Sequence, residues 1–347
     1  MLVTLLVCLL AIVLEWGVRL TGTPVFVASA AGILGLAYVI GISTERLGSI
    51  VGPQKGAVLN ATFGNVAELI IAFFALAAGQ LDIVRSSIIG SIVGNLLLVM
   101  GLAIVVGGLR HGIQTFDAKI AGLDSTLLVL AVIGLFIPAV FVATSHTATP
   151  GSEPRIDESV FIAIVLLALY FLNLVYRFKH PKELDPNEDD RGGPQWTTRE
   201  AVLVLGLSAA LLAVLSEELV GSINPFLASF SLTPFFVGLV IIPTIGNLAE
   251  QLVSVRLAYA NRIEFSIAVA LGASLQVALF VVPVLVLLGL VLHQPMDLAF
   301  PPLEVAAVGV AAAIAALVSL DGESNWLEGA LLLGVWVILA VSFYFFV

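Results

Sequence analysis

Residues 64–101 read GNVAELIIAFFALAAGQLDIVRSSIIGSIVGNLLLVMG, and residues 246–283 read GNLAEQLVSVRLAYANRIEFSIAVALGASLQVALFVVP. The two stretches align without a gap at an offset of 182 residues. Their similarity is concentrated at the start, where the pattern G-N-x-A-E occurs in both copies. This internal repeat decides the fold, and it puts one carboxylate, Glu68 or Glu250, at the same point of each copy.

The composition around the repeat is that of a membrane protein. Of 347 residues, 60% are hydrophobic and 11% are charged, with a mean hydropathy of +1.13, whereas soluble domains carry about 25% charged residues. The apolar runs are long and lack the alternation of a β-barrel, so we expect transmembrane helices. We predict an all-α integral membrane protein with about eleven helices, at 2–17, 24–45, 55–79, 83–108, 123–143, 158–177, 199–221, 233–259, 263–291, 303–320 and 325–346.

The spacing of the two glutamates along these helices predicts an inverted repeat. Glu68 lies in the third predicted helix and Glu250 in the eighth, five helices further along. Because five is odd, the two copies cross the membrane in opposite directions. Inverted repeats are typical of secondary transporters, which bind substrate near the bilayer midplane at the repeat interface. We therefore predict an extra first helix (1–20), a five-helix repeat (24–177), an acidic cytoplasmic linker (178–198) and a second five-helix repeat (199–347).

The distribution of basic residues predicts the orientation. Eleven Lys and Arg residues fall on one side of the predicted helices and only Arg19, Arg85 and Arg155 on the other. Because cytoplasmic loops carry the excess of basic residues, we expect the N-terminus and the linker in the cytoplasm and the C-terminus outside it. The membrane would be the plasma membrane in a prokaryote. The lipid bilayer is the expected partner, a homo-oligomer is compatible with the sequence, and no feature points to nucleic acid.

The local sequence predicts that the chain is interrupted just before each glutamate. A carboxylate at bilayer depth costs about 2.5 kcal/mol or more, so a repeated pair favours function over a structural polar contact. Gly and Asn precede each glutamate, and Pro243 precedes the second copy. Gly weakens a helix and Pro removes one backbone hydrogen bond. We expect a broken or kinked helix there, with free carbonyls and with Asn and Glu on one face.

These oxygen ligands favour a hard cation. Carboxylate, amide and carbonyl oxygens in a flexible site suit Ca²⁺ better than Mg²⁺, and no His or Cys lies beside either glutamate to favour Zn²⁺ or Cu⁺. Two carboxylates close together in a low dielectric cannot both stay ionised in an empty site. They need either one dication or about two protons, and this requirement is a physical basis for exchange.

Six segments carry a resemblance to a known family: NATFGNVAELI at 60–70, GSIVGNLLLVMG at 90–101, LSEELV at 215–220, GNLAEQ at 246–251, GASLQVALFV at 272–281 and DGESNWLEGA at 321–330. In these segments the chain resembles the cation/proton exchanger family of the Ca²⁺/cation antiporter superfamily. The resemblance implies a Ca²⁺/H⁺ antiporter that moves Ca²⁺ out of the cytosol by alternating access, with Glu68 and Glu250 as alternating Ca²⁺ and proton sites. It also implies supporting roles for further polar residues: Asn65, Asn247, Gln276 and Ser91.

Two positions depart from the family pattern. Gln251 stands where the family often has His, and Ala273 stands where the second copy has Ser, with Ser274 beside it as a candidate ligand. The helix after each motif offers Ser and amide side chains rather than the additional acids of Na⁺-coupled relatives, which favours H⁺ coupling. Na⁺/Ca²⁺ exchange and H⁺-coupled Mn²⁺ export remain alternatives.

Other acids have candidate roles in ion access or regulation. Glu217 matches an acidic family position near the vestibule, and Glu188, Asp189 and Asp190 lie in the linker, where a charge run is more often only solvated. A channel would usually arrange identical elements around a pore. An enzyme would need a nucleophile and a base or metal ligands, and the sequence suggests neither these nor a bound cofactor.

Overall fold

A computed structural model describes residues 2–12, 22–52, 56, 59, 62–144, 153–179 and 196–345. Nearly all of this chain is helical. The helices are α1 (Leu2–Ile12), α2 (Thr23–Val51), α3 (Val66–Ala77), α4 (Leu81–His111), α5 (Ala118–Thr144), α6 (Glu153–Lys179), α7 (Thr198–Phe230), α8 (Pro234–Gly246), α9 (Leu248–Tyr259), α10 (Ile263–Val291), α11 (Pro302–Val318) and α12 (Trp326–Phe345). The short strands β1 (Gln114–Thr115) and β2 (Glu323–Ser324) pair antiparallel.

Seven helices in the described part of the chain are long and apolar enough to cross a bilayer: α2, α4, α5, α6, α7, α10 and α12. Helices α8 and α9 are bent by 63° at their junction and count as an eighth span if they cross together. Helices α3 and α11 are apolar but shorter. The chain is therefore an all-α, multi-pass membrane protein, and the count of eleven spans stays a prediction.

The predicted helix interruptions are confirmed in both copies. Asn65 has non-helical dihedral angles (φ −100°, ψ 27°) and immediately precedes α3. In the second copy, α8 ends at Gly246, Asn247 lies in a turn, and α9 begins at Leu248. Each sequence expected to be one span is thus divided at its Gly-Asn step.

The elements that follow the two Gly-Asn steps have matching bounds. Helices α3 and α9 each have 12 residues and begin at Val66 and Leu248. The next helices, α4 and α10, begin at Leu81 and Ile263, again 182 residues apart. Both of these helices contain a π-helical stretch, at Gly94–Val99 and Val277–Val281. Since π-helical turns are rare and concentrate at functional sites, their recurrence draws attention to the side chains around them.

The described residues form two compact units, each assembled from separate parts of the chain. The first comprises Met1–Ala78, Phe171–Leu232 and Ile245–Ala249. Within it, α2 packs along α7, and Phe26 stacks on Phe226 with ring centroids 4.0 Å apart. A capping box between Thr197 and Glu200 fixes the start of α7 at the end of the linker.

The second unit comprises Gly79–Tyr170, Thr233–Thr244 and Glu250–Val347. Within it, α4 crosses a π-helical stretch of α8, Val237–Ile241, at very short range. A Cβ added to Gly90 would collide with the carbonyl oxygen of Leu239 and would lie 2.6 Å from Pro243 Cγ. Small residues allow such close helix approach in membranes.

We expect Gly90→Ala to lower stability by about 1–3 kcal/mol, because the added methyl group overpacks the crossing. Thermal unfolding of the purified protein in detergent measures this loss. Gly272→Ala is the matched control: Gly272 aligns with Gly90 in the repeat, and a Cβ there meets no atom within 4 Å. Equal unfolding temperatures for the two variants would contradict the close crossing.

Candidate functional site

Glu68 is held at the start of a helix rather than in the middle of one. Because the chain is interrupted at Asn65, Glu68 falls in the first turn of α3. The backbone N–H groups of a helix start carry partial positive charge, which favours a carboxylate there. Glu68 is 8% exposed and Asn65 is 4% exposed. The break thus creates a buried, oxygen-rich point at a helix terminus.

The second Gly-Asn step lies beside the first glutamate within the same compact unit. A Cβ added to Gly246 would lie 3.0 Å from Glu68 Cγ and 3.6 Å from its Oε1. Asn247, the next residue, is 1% exposed. Because Gly246 has no side chain, the Glu68 side chain can lie against it. The buried amides of Asn65 and Asn247 belong to the same unit as Glu68.

Glu250 occupies the equivalent position of the second copy. It lies in the first turn of α9, three residues after Asn247, and is partly buried. Its Oε2 is inaccessible to solvent and has no hydrogen-bond partner among the residues that the structure describes. A buried carboxylate oxygen in this condition is costly, so it is suited to binding a cation or a proton. The neighbouring Gln251 is partly exposed.

Polar side chains on α4 and α10 surround the two π-helical stretches in the second unit. Ser91 and Ser274 are buried, whereas Gln276 is partly buried at the start of its π-helical stretch. The Ser274 hydroxyl donates to the carbonyl oxygen of Ala270 over 2.9 Å, so its oxygen lone pairs remain available. The π-helical stretch of α4 packs against the α-helical part of α10, Ile263–Gln276.

Asn95 is a candidate ligand that the sequence reasoning did not select. It lies in the π-helical stretch of α4, is fully buried, and neither of its amide atoms has a hydrogen-bond partner in the described ranges. Buried amides are nearly always hydrogen-bonded, so this one is available to a ligand. The sequence did contain a signal, because Gly94-Asn95 repeats the Gly-Asn step.

The two adjacent acidic residues of α7 differ in exposure. Glu217, the predicted access residue, is exposed. Its neighbour Glu218 is 4% exposed, and its Oε2 accepts a hydrogen bond from the Ser29 hydroxyl of α2 over 3.3 Å. The inward-facing acid of this pair is therefore Glu218. The three linker acids Glu188, Asp189 and Asp190 lie outside the described residues.

Comparison with known proteins gives a consistent result over nearly the whole chain. The sodium/calcium exchanger protein family matches residues 21–179 and 200–345. The Ca²⁺/H⁺ antiporter of Aphanothece halophytica is 40% identical, covering 92% of this chain and 90% of its own length. The Ca²⁺/H⁺ antiporter of Synechocystis is 38% identical, with 96% and 92% covered. The structure of native YfkE, a Ca²⁺/H⁺ antiporter, superimposes with a TM-score of 0.84 at 32% identity, covering 99% of this chain and 100% of that one.

Proposed function

Because the chain belongs to the sodium/calcium exchanger protein family, we propose that it is a secondary active Ca²⁺/H⁺ antiporter that moves Ca²⁺ out of the cytosol in exchange for H⁺. The observation that carries this proposal is the 38–40% identity to Ca²⁺/H⁺ antiporters over more than nine-tenths of the chain. The protein is then a transporter rather than an enzyme, and Ca²⁺ and H⁺ are its substrates rather than cofactors.

Glu68 and Glu250 are the groups that carry the exchange in this proposal. Each lies in the first turn of a helix, just after the helix interruption at the Gly-Asn step. Ca²⁺ prefers carboxylate oxygen ligands in flexible geometry. The neutral oxygen ligands are Asn65, Asn247, Gln276, Ser91 and Ser274, to which the buried amide of Asn95 is added. Glu218 or Glu217 serves ion access from α7.

Charge balance supplies the coupling. Two buried carboxylates without a counter-charge cost several kcal/mol each, so the empty, doubly charged protein does not occlude. One Ca²⁺ neutralises both groups, and so do two protons. The protein therefore changes the face to which it is open only when loaded with one or the other, and the two ions move in opposite directions.

The proposal includes the inverted five-helix repeats, the extra first helix, the cytoplasmic N-terminus and the non-cytoplasmic C-terminus. The repeat is supported by the constant offset between the elements of its two copies. The orientation is supported by the excess of Lys and Arg at one end of the helices.

The full chain reconstituted into vesicles tests the function. We expect ⁴⁵Ca²⁺ uptake into vesicles that are more acidic inside than outside, with proton efflux reported by a pH-sensitive dye. A protonophore that collapses the gradient abolishes uptake. A sodium gradient at equal pH is the control and drives no uptake. Uptake driven by sodium instead would identify Na⁺/Ca²⁺ exchange, and uptake without proton movement would refute the proposal.

A further inference from the structure

A buried cluster of charges lies at the start of α4, and none of its members belongs to the repeated motif. Arg85 Nη2 is 2.6 Å from Asp297 Oδ1, and Arg155 Nη2 of α6 is 2.8 Å from Asp297 Oδ2. The Arg85 Nε also donates to the backbone carbonyl of Asp297. Arg155 and Asp297 are buried and Arg85 is largely buried. The cluster is therefore screened only weakly by water and ions.

The cluster fixes the segment between α10 and α11. The carboxylate of Asp297 accepts from its own loop at Ala299 N, over 3.2 Å. The backbone N–H of Leu298 donates to the Ser159 hydroxyl of α6 over 2.9 Å. Asp297 thus joins α4, α6 and the loop that leads into α11, so a change in its ion pairs affects the positions of all three.

Glu304 lies next to this cluster and is not part of its hydrogen bonds. It is in the first turn of α11, which packs against the beginning of α4, and its exposed fraction is 0%. Neither carboxylate oxygen has a hydrogen-bond partner within the described portion of the chain. The charged groups that act electrostatically on Glu304 are Arg85 and Asp82 of α4. Arg85 pairs with Asp297, which also pairs with Arg155. His293, in the loop before α11, is exposed.

The charges of this region allow two arrangements. Arg85, Arg155 and Asp297 together carry one positive charge, and Asp82, 3.9 Å from Arg85 and 66% exposed, compensates it only weakly. An ionised Glu304 would neutralise the excess, but Arg85 bonds to Asp297 instead. Since an ionised carboxylate without partners is costly when buried, the arrangement described suits a neutral, protonated Glu304. Once that proton leaves, Glu304 competes with Asp297 for Arg85.

We propose that Glu304 is a second proton-binding site of this exchanger, which acts through Arg85 on helix α4. This inference rests on the proposed function, because it assigns the site to the same exchange. Arg85 is six residues from Ser91 on α4, about 9 Å along the helix axis, so a shift of Arg85 reaches the polar residues of the candidate ion site. The predicted orientation puts Glu304 towards the non-cytoplasmic side, from which protons enter during Ca²⁺ export.

The first test measures exchange as a function of pH on the non-cytoplasmic side, with the full chain in vesicles. Glu304→Gln mimics a permanently protonated residue. We therefore expect the exchange rate of this variant to depend less on the non-cytoplasmic pH than the wild-type rate does. The expected difference is about fivefold or more at the alkaline end, as for a typical coupling between sites. The matched control is Glu328→Gln, a first-turn glutamate of α12 that accepts a hydrogen bond from Asn325. An unchanged profile in folded Glu304→Gln would overturn the proposal.

The second test detects the proton without transport. Infrared difference spectra of the purified protein in Ca²⁺-free detergent, recorded across a pH titration, should contain the carbonyl stretch of a protonated carboxyl group. Glu68 and Glu250 contribute to the same band when they are protonated, so the readout is the component that each substitution removes. We expect Glu304→Gln to lose one component that Glu328→Gln retains. If Glu304→Gln does not fold, Glu304→Asp keeps a titratable carboxyl and should shift the band.

The two tests separate the proposals. If the infrared band depends on Glu304 but the protein shows no Ca²⁺/H⁺ exchange, the proton site is supported and the proposed function is refuted. If exchange is normal but neither Glu304→Gln nor Glu304→Asp alters the band, the proton site is refuted and the proposed function is supported.

Discussion

Replacing either motif glutamate by glutamine, Glu68→Gln or Glu250→Gln, abolishes Ca²⁺ uptake driven by a pH gradient. Glutamine keeps the shape of the side chain but loses the negative charge and the exchangeable proton. In the proposed mechanism two carboxylate charges balance one Ca²⁺, so the substitution leaves one positive charge of the bound ion uncompensated. An uncompensated buried charge costs about 3–5 kcal/mol. We expect the rate to fall by more than about 100-fold in each variant, measured as ⁴⁵Ca²⁺ uptake into vesicles of equal protein content.

A third variant separates this effect from the general loss of a carboxylate. Glu264 lies in the first turn of α10, outside the Gly-Asn motif. Glu264→Gln makes the same chemical change and should transport at close to the wild-type rate. All three variants should elute as folded protein in size-exclusion chromatography. If either motif variant transports Ca²⁺ as fast as wild type, the assignment of the two exchange groups is wrong.

The break before each glutamate could be predicted because its causes are local. Gly, Asn and Pro243 weaken helices through their own backbone chemistry, whatever packs around them. The membrane helices could be predicted for a similar reason, since the length and hydropathy of an apolar stretch of sequence decide whether it spans a bilayer. The same argument explains why α3 and α9 have equal lengths: both start immediately after the same Gly-Asn pair and end in similar turns.

Other parts of the candidate site could not be predicted because they depend on packing. Glu217 and Glu218 are adjacent, and consecutive helix residues point about 100° apart. Only the contact of α7 with α2 decides that Glu218 is the buried one. The Arg85–Asp297 pair joins residues 212 positions apart in sequence. Glu304 follows two prolines at a helix start, where a glutamate is common, and only its burial distinguishes it.

Adding one methyl group at Gly246 should impair exchange while the protein stays folded. In Gly246→Ala the new Cβ would lie 3.0 Å from Glu68 Cγ, so the glutamate side chain must move by a few tenths of an ångström. A displacement of about 1 Å at a reacting group can cost about 100-fold in rate. We expect about a tenfold loss of Ca²⁺/H⁺ exchange for Gly246→Ala and a larger loss for Gly246→Val, both measured as initial rates in vesicles.

The control for this prediction is another glycine of the same compact unit. A Cβ at Gly221 of α7 meets no atom within 4 Å, so Gly221→Ala should exchange Ca²⁺ at the wild-type rate. Thermal unfolding distinguishes a displaced carboxylate from a damaged fold, because only the second lowers the unfolding temperature in proportion to the lost rate. Wild-type exchange in both Gly246 variants would mean that Gly246 does not position Glu68. A graded loss with an unchanged unfolding temperature would mean that the second copy of the motif holds the carboxylate of the first in its working position.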